Sequence, residues 1–264
     1  MKVIIKSDYD EMSRYTADYI IRKINRHNSS PAGAERPFVL GLPTGSTPIG
    51  VYHCLVEAFK EGKVSFANVV TFNMDEYVGL PEDHPESYHS FMARHLFDHV
   101  DCPASHIHIL NGNAPNLEEE CRKYEEAIAS YGGIDLFLGG IGPDGHIAFN
   151  EPFSAFDSRT RIKTLTKDTR IANSRFFGGD PSRVPEMALT VGIATVMDSR
   201  EVVILCSGHS KALALKAVIE GALTQMWPIS ALQMHARGMI VCDDASAIEL
   251  KVGTYRYFKQ LENV

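Results

Sequence analysis

Three stretches of this chain bring together residue types suited to acid-base and anion chemistry. The richest is Gly139-Gly140-Ile141-Gly142-Pro143-Asp144-Gly145-His146-Ile147-Ala148-Phe149-Asn150-Glu151-Pro152. A histidine set between two carboxylates, Asp144 and Glu151, can be oriented by one of them and have its positive charge stabilised, as proton transfer near neutral pH requires. Gly140, Gly142 and Gly145 also spell G-x-G-x-x-G. A dinucleotide is nevertheless excluded, because Pro152 leaves little room for the helix that fingerprint must open and no acid follows about 20 residues on at a strand end. The second stretch, Phe72-Asn73-Met74-Asp75-Glu76-Tyr77, carries adjacent acids whose side chains diverge, so one of the two is expected to face a site. The third, Gly41-Leu42-Pro43-Thr44-Gly45-Ser46-Thr47-Pro48, offers small residues and the hydroxyls of Thr44, Ser46 and Thr47 just before a helix. That composition suits a phosphate cradle, with Gly45 letting backbone amides approach. It suits an N-capping turn equally well. It is not a P-loop, since no Gly-Lys-Ser/Thr ending follows.

Cations stand nearby in the sequence. Arg159, Arg161 and Lys163 alternate with Thr160 and Ile162, so an extended backbone would place them on one face. Arg175 lies in Asn173-Ser174-Arg175-Phe176-Phe177, and Lys211 follows a Ser-Gly-His-Ser turn between a strand and a helix. Each is a candidate for holding an anion. His95 and His99 share a helical spacing, but residue 96 is Leu and no third ligand presents itself, so no metal site is expected.

Such groups need a scaffold, and the hydrophobic pattern describes one. Apolar runs of strand length occur at Val3–Ile5, Phe38–Leu42, Val69–Asn73, Ile134–Leu138, Val202–Cys206 and Met239–Cys242. Helical periodicity fills Tyr9–Asn25, Pro48–Lys60, Tyr88–His99, Leu117–Tyr131, Lys211–Leu223 and the stretch around Ala247–Leu261, while Asn28–Pro37 reads as a loop. The alternation predicts an α/β fold with a parallel sheet covered on both faces. Ligands of such sheets bind beyond the carboxyl ends of the strands, which puts weight on the loops after Leu42, Asn73, Leu138 and Cys206. With 264 residues, 26 basic against 33 acidic and a net charge of −7, the chain lacks the broad basic surface of a nucleic-acid or anionic-membrane binder. An anionic ligand must be held by a local cluster of donors. No apolar stretch approaches the ~18 residues of a membrane span, and the start lacks a secretory pattern. Five scattered cysteines, none in a CxxC pair, read as reduced thiols of a cytoplasmic protein.

Taken together, GLPTGSTP at 41–48, FNMDEY at 72–77, GGIGPDGHIAFNEP at 139–152, SRTRIKTL at 158–165 and NSRFF at 173–177 closely resemble the glucosamine-6-phosphate deaminases (isomerising) of the allosterically regulated, hexameric type. The resemblance runs over nearly the whole chain. It implies a Rossmann-like, modified doubly wound α/β fold with a mainly parallel sheet, one domain over residues 1–264, assembly as a homohexamer, and no metal or organic cofactor. It implies conversion of D-glucosamine 6-phosphate and water into D-fructose 6-phosphate and ammonia. Asp75 would then move a proton between C2 and C1 of the opened sugar, and His146, supported by Asp144 and Glu151, would catalyse ring opening. Thr44, Gly45, Ser46 and Thr47, with Arg175 and Lys211, would clamp the 6-phosphate. Ser154, Arg161, Lys163, Thr164 and Tyr257 would form a separate site between subunits for the activator N-acetylglucosamine 6-phosphate, with Ala155 standing where some relatives have a second serine. The rival readings are another sugar-phosphate enzyme, such as a 6-phosphogluconolactonase or a ribose-5-phosphate isomerase, and a non-catalytic sugar-phosphate sensor.

Overall fold

Burial on both faces makes a strand read as an unbroken apolar run, and the six runs of this chain have that character. The structure, a computed structural model, describes residues 1–261. Its first half runs β1 (Lys2–Lys6), α1 (Tyr9–Asn28), α2 (Pro31–Glu35), β2 (Phe38–Leu42), α3 (Ile49–Lys60), β3 (Val69–Asn73), β4 (Asp75–Tyr77), α4 (Tyr88–His95), β5 (Ile107–His108) and α5 (Leu117–Ser130). Then follow β6 (Leu136–Gly140), β7 (Arg161–Thr164), α6 (Lys167–Asn173), β8 (Met187–Thr190), α7 (Ile193–Met197), β9 (Val202–Cys206), α8 (Ala212–Glu220), β10 (Gly238–Asp243) and α9 (Val252–Leu261).

The large sheet has the order β1-β10-β9-β6-β2-β3-β5, with every pairing parallel. Period-two alternation sorts its side chains into two cores. Val39, Val70, Phe72, Phe137, Val202, Ile204 and Ile240 face one side, against Tyr124 and Ile128 of α5 and Leu215 and Val218 of α8. Leu40, Leu42, Val69, Leu138, Val203, Leu205 and Val241 face the other, against Ile20 and Ile24 of α1 and Val51 and Leu55 of α3. The chain winds outward from β2 through β3 to β5, then returns to the opposite side of β2 at β6. The strand order therefore reverses between β2 and β6, and a crevice opens at their carboxyl ends. This is a modified doubly wound, Rossmann-like arrangement. Among the described residues no helix is long and apolar enough to cross a membrane.

A second, antiparallel sheet of order β4-β8-β7 lies past that edge. Its presence was not legible in the apolar pattern, because β4 is only Asp75–Tyr77 and the β7 residues are partly exposed. Other differences are local. The strand expected at Ile134–Leu138 occupies Leu136–Gly140, because Gly139 and Gly140 pair with Ile204 and Leu205 but bring no side chain to an apolar run. The helix expected to reach His99 ends at His95, and Phe97–His99 form a tighter 3₁₀ turn. Pro31 starts the short α2 inside the expected loop. The helix expected from Lys211 to Leu223 is only α8, preceded by a 3₁₀ turn at His209–Lys211.

At the crevice β2 and β6 approach so closely that a Cβ on Gly41 would lie 2.5 Å from the Phe137 ring. Gly41→Ala is expected to lower the unfolding free energy by about 1–3 kcal/mol, the usual cost of overpacking. An unchanged urea midpoint would show that Phe137 has room to retreat.

Candidate active site

The four loops singled out by topology line one cleft of about 880 Å³. Thr44, Gly45, Ser46 and Thr47 form one wall; Asp75, Asp144, His146, Glu151, Arg175 and Lys211 complete the expected catalytic and phosphate-holding residues, all of which meet there.

The loop after β2 is shaped by Gly45, at φ +97°. Tyr9 of α1 braces it, donating its hydroxyl to Ser46 O at 3.2 Å and accepting from the Gly50 N–H at 2.8 Å. Pro48 occupies the N-cap of α3 and offers no capping side chain. Among the described residues the side-chain bond to that end comes from Tyr9, not from Thr44, Ser46 or Thr47. The capping explanation for these hydroxyls therefore fails, and the positive helix end borders the cleft through Pro48 and Ile49. Lys211 reaches the same cleft from the turn after β9. Gly208, at φ +85°, allows that turn. Buried Asp243 pins it, accepting from Ser207 Oγ at 2.5 Å, Gly208 N at 3.1 Å and Ser246 N at 2.8 Å. Burial raises the Asp243 carboxyl, but these hydrogen bonds outweigh it and hold the group below its ordinary value. Lys211 is lowered by its own burial and by the charge of Arg175, whose guanidinium lies over the Phe176 ring at 4.6 Å from its centroid. Two cations in mutual range, one of them desolvated, favour a multiply charged anion.

Asp75 and Glu76 do diverge. Asp75 lines the cleft; Glu76 turns away and accepts from the backbone N–H groups of Tyr88 and His89 at the start of α4 and from His89 Nδ1 at 2.8 Å. Burial, reinforced by the Glu76 charge, pushes the Asp75 carboxyl from 3.8 up to about 8. That is the range of a base that exchanges protons near neutral pH. Across the cleft, Asp144 Oδ1 lies 2.6 Å from His146 Nδ1, which leaves Nε2 as the nitrogen for a substrate. Burial raises Asp144, yet the bond to His146 outweighs it and the net displacement is downward. Gly142 is required here, since a Cβ would stand 2.1 Å from the imidazole.

Glu151 is not hydrogen-bonded to His146 as the flanking-acid reading implied. It accepts from Thr166 Oγ1 at 2.8 Å and from Thr169 Oγ1, and lies 3.8 Å from Lys163 Nζ. Lys163 itself lines the cleft, so one member of the basic row of β7 reaches the site. The other residues assigned to a second site do not converge within one chain. Arg161 and Thr164 stay on β7, and Ser154 is buried with its hydroxyl unpartnered among the described residues. Tyr257 is exposed on α9, where it borders a separate cavity of about 390 Å³ with Met1, Lys2 and Phe258. Sequence reasoning missed the aromatic floor. Tyr77 packs against Tyr88, Phe149 and Phe177 with centroids 5.0, 5.8 and 5.7 Å away. Asn173 donates to the Tyr77 hydroxyl at 3.1 Å. The tyrosine in FNMDEY was the available signal.

Residues 7–241 match the family model of glucosamine-6-phosphate isomerases/6-phosphogluconolactonase. The chain belongs to this family. It is 64% identical to the glucosamine-6-phosphate deaminase of Phocaeicola vulgatus over 99% of this chain and 98% of that one. With the Aeromonas hydrophila glucosamine-6-phosphate deaminase it shares 60% identity, over 99% and 97% of the two chains. A solved monomeric glucosamine-6-phosphate deaminase superposes with a TM-score of 0.89 at 41% identity, covering 95% of this chain and all of that one. Within the same family fold, the 6-phosphogluconolactonase of Thermotoga maritima superposes with a TM-score of 0.68 at 19% identity, over 92% and 99% of the chains.

A buried acid of this kind costs stability. Between its ordinary 3.8 and about 8, folding takes up a proton on Asp75. Stability therefore falls as pH rises through that window and the penalty is complete above it. Asp75→Asn is expected to melt higher than the parent at pH about 8, the advantage shrinking by roughly 1.4 kcal/mol per pH unit toward acid. Thermal unfolding of both proteins across that window is the check, and an equal or lower Tm for the variant at the alkaline end would contradict it.

Proposed function

We propose that this chain converts D-glucosamine 6-phosphate and water into D-fructose 6-phosphate and ammonia. One observation carries the reading: a buried carboxylate, an Asp-His pair and two cations beside a glycine-bent helix end all line a single cleft. The helix end of α3, Arg175 and Lys211 hold the 6-phosphate and leave the sugar ring over Asp75 and His146. His146, kept in one orientation by Asp144, passes a proton to the ring oxygen as the C1–O bond breaks and the chain opens. Asp75 takes the C2 proton, and the electron pair forms the C1–C2 double bond. The C1 oxygen is protonated by His146, which had taken the C1 hydroxyl proton on ring opening, giving an enolamine. Returning that proton to C1 leaves an imine at C2. Water adds there, and ammonia departs as the ketone forms. Each acid or base so placed contributes about 10²–10⁴-fold. The lactonase reading accounts less well for Asp75, since hydrolysing a lactone removes no carbon-bound proton. The deaminases that are 60–64% identical support the same choice.

The reading extends to regulation and assembly. Arg161, Lys163 and Thr164, with Ser154, supply one half of a site for N-acetylglucosamine 6-phosphate, and Tyr257 of another subunit supplies the other half. The separation of Tyr257 from β7 within one chain suits such sharing. Exposed apolar residues Leu213, Met234, Ile248 and Val252 offer contact surface for a homohexamer. Five free thiols suit a cytoplasmic setting for this single catalytic unit of residues 1–264.

An ammonia-release assay on glucosamine 6-phosphate tests the core of the reading. Asp75→Asn is expected to lose at least ~10²-fold in kcat while still binding substrate, and parental ammonia release from it would remove Asp75 from the mechanism. Arg161→Ala is expected to flatten the response to N-acetylglucosamine 6-phosphate with maximal turnover largely kept; an unaltered activation curve refutes the second site.

A further inference from the structure

The base and the histidine sit on different parts of the chain, yet proton transfers at neighbouring atoms of one sugar require them to keep a fixed spacing. Asp75 is on β4, which follows β3 directly; His146 is on the loop after β6. Neither contacts the other's backbone through the large sheet. Apart from the packing of the Tyr77 ring on Phe149, what joins them is a set of hydrogen bonds at the end of β8. Thr190 pairs with Asp75 in the small sheet, and the Val191 N–H donates to Met74 O at 2.8 Å, so this end is locked to the strand of the base. The same two residues grip the histidine loop. Thr190 Oγ1 accepts from the Phe149 N–H at 3.1 Å, and Val191 O accepts from Asn150 Nδ2 at 2.8 Å. Thr190 and Asn150 are fully buried, and neither lines the cleft.

The loop they grip does not hold its shape by local preference. Ala148 takes φ 52° and Phe153 φ 72°, conformations that side chains other than glycine rarely adopt. Asn150 Nδ2 also donates to Ile147 O at 2.9 Å, spanning Ala148. The left-handed turn is thus closed by the same amide that reaches Val191.

We propose that Thr190 and Asn150 are positioning residues that set the spacing between Asp75 and the Asp144–His146 pair by tying the catalytic loop to the strand of the base. The kinetic consequence rests on the deaminase reading; the mechanical one does not. Thr190→Val keeps the shape and the β-branch but leaves the Phe149 N–H without its acceptor, whereas Thr190→Ser keeps the hydroxyl. Misplacement of reacting groups by a fraction of an ångström to 1 Å costs up to about 10²-fold. In the intact enzyme, Thr190→Val is expected to lower kcat at least tenfold with KM changed less than threefold, because the phosphate-holding loops after β2 and β9 are untouched. Thr190→Ser is expected to restore kcat to within threefold. Amide hydrogen exchange in residues 141–152 is expected to quicken in the valine variant alone, with exchange in β9 and β10 unchanged. A folded Thr190→Val enzyme whose kcat stays within twofold of the parent overturns the kinetic claim, and so does a serine variant as slow as the valine one. Unchanged exchange in 141–152, or a uniform rise throughout the chain, overturns the tie itself. If the parent released no ammonia, the deaminase reading would fall and the exchange measurement would still decide the tie.

Discussion

Two carboxylates adjacent in sequence cannot both be buried unpaired, and the chemistry of this cleft depends on how Asp75 and Glu76 avoid that. Extended backbone sends consecutive side chains to opposite faces, so β4 separates them without any special contact. Glu76 is then satisfied completely: the first N–H groups of α4 and the His89 ring surround it. Its charge is spent on ordering a helix. Asp75 receives no such partners among the described residues and remains a desolvated acid whose proton is held until about pH 8. Moving Glu76 into the cleft would place two like charges together; moving Asp75 out would place it against a helix end, where backbone N–H groups would partner its charge. The strand direction at residues 75–77 therefore decides which carboxylate does chemistry.

That strand is itself positioned by the switch in the large sheet. Because all seven strands run parallel, their carboxyl ends form one edge, and the crevice between β2 and β6 is where a ligand can enter between loops. β3 is next to β2, and only Met74 separates it from β4, so Asp75 is delivered to the rim of the crevice. β6 ends in the glycine-rich loop on the other rim. The small sheet has its own core of Tyr77, Phe149, Leu165, Phe177, Val184 and Ala188, and Tyr77, Phe149 and Phe177 of it line the site. The division of labour follows: the large sheet provides rigidity, and the small one provides the aromatic floor and the tie between the two loops.

Much of this was legible in the residues. The apolar runs located the central strands to within two residues, since burial on both faces leaves little choice of side chain. Gly45, Asp75, His146 and Lys211 were legible as a group because each follows a strand. The small sheet was not, because its strands are only three or four residues long and β7 is partly exposed. The partners of Glu151 were likewise hidden. Two acids that flank His146 in sequence look equivalent, but the turn at Gly145 (φ +79°) folds Asp144 back onto the imidazole. The left-handed Ala148 carries Glu151 the other way, toward Thr166 and Thr169. Backbone reversals of that kind are decided by tertiary contacts, here Trp227 against Gly145 and Val191 against Asn150.

The electrostatics of the cleft explain how an acidic protein recognises an anion. With a net charge of −7, the far field repels a sugar phosphate, and attraction must be local. Lys211 is lowered by its own burial and by the neighbouring Arg175 charge, so the cleft by itself disfavours the charged lysine. A phosphate dianion removes that conflict, and its binding energy is realised at the end of the molecule away from the reacting carbons. Binding energy of that origin is the kind that can be used to hold the sugar carbons against Asp75 and His146. The same logic accounts for the tight fixing of the lysine turn by Asp243. A cation carried on a glycine-bent turn would otherwise swing away from its like-charged neighbour, and the acid buried beneath the turn prevents it.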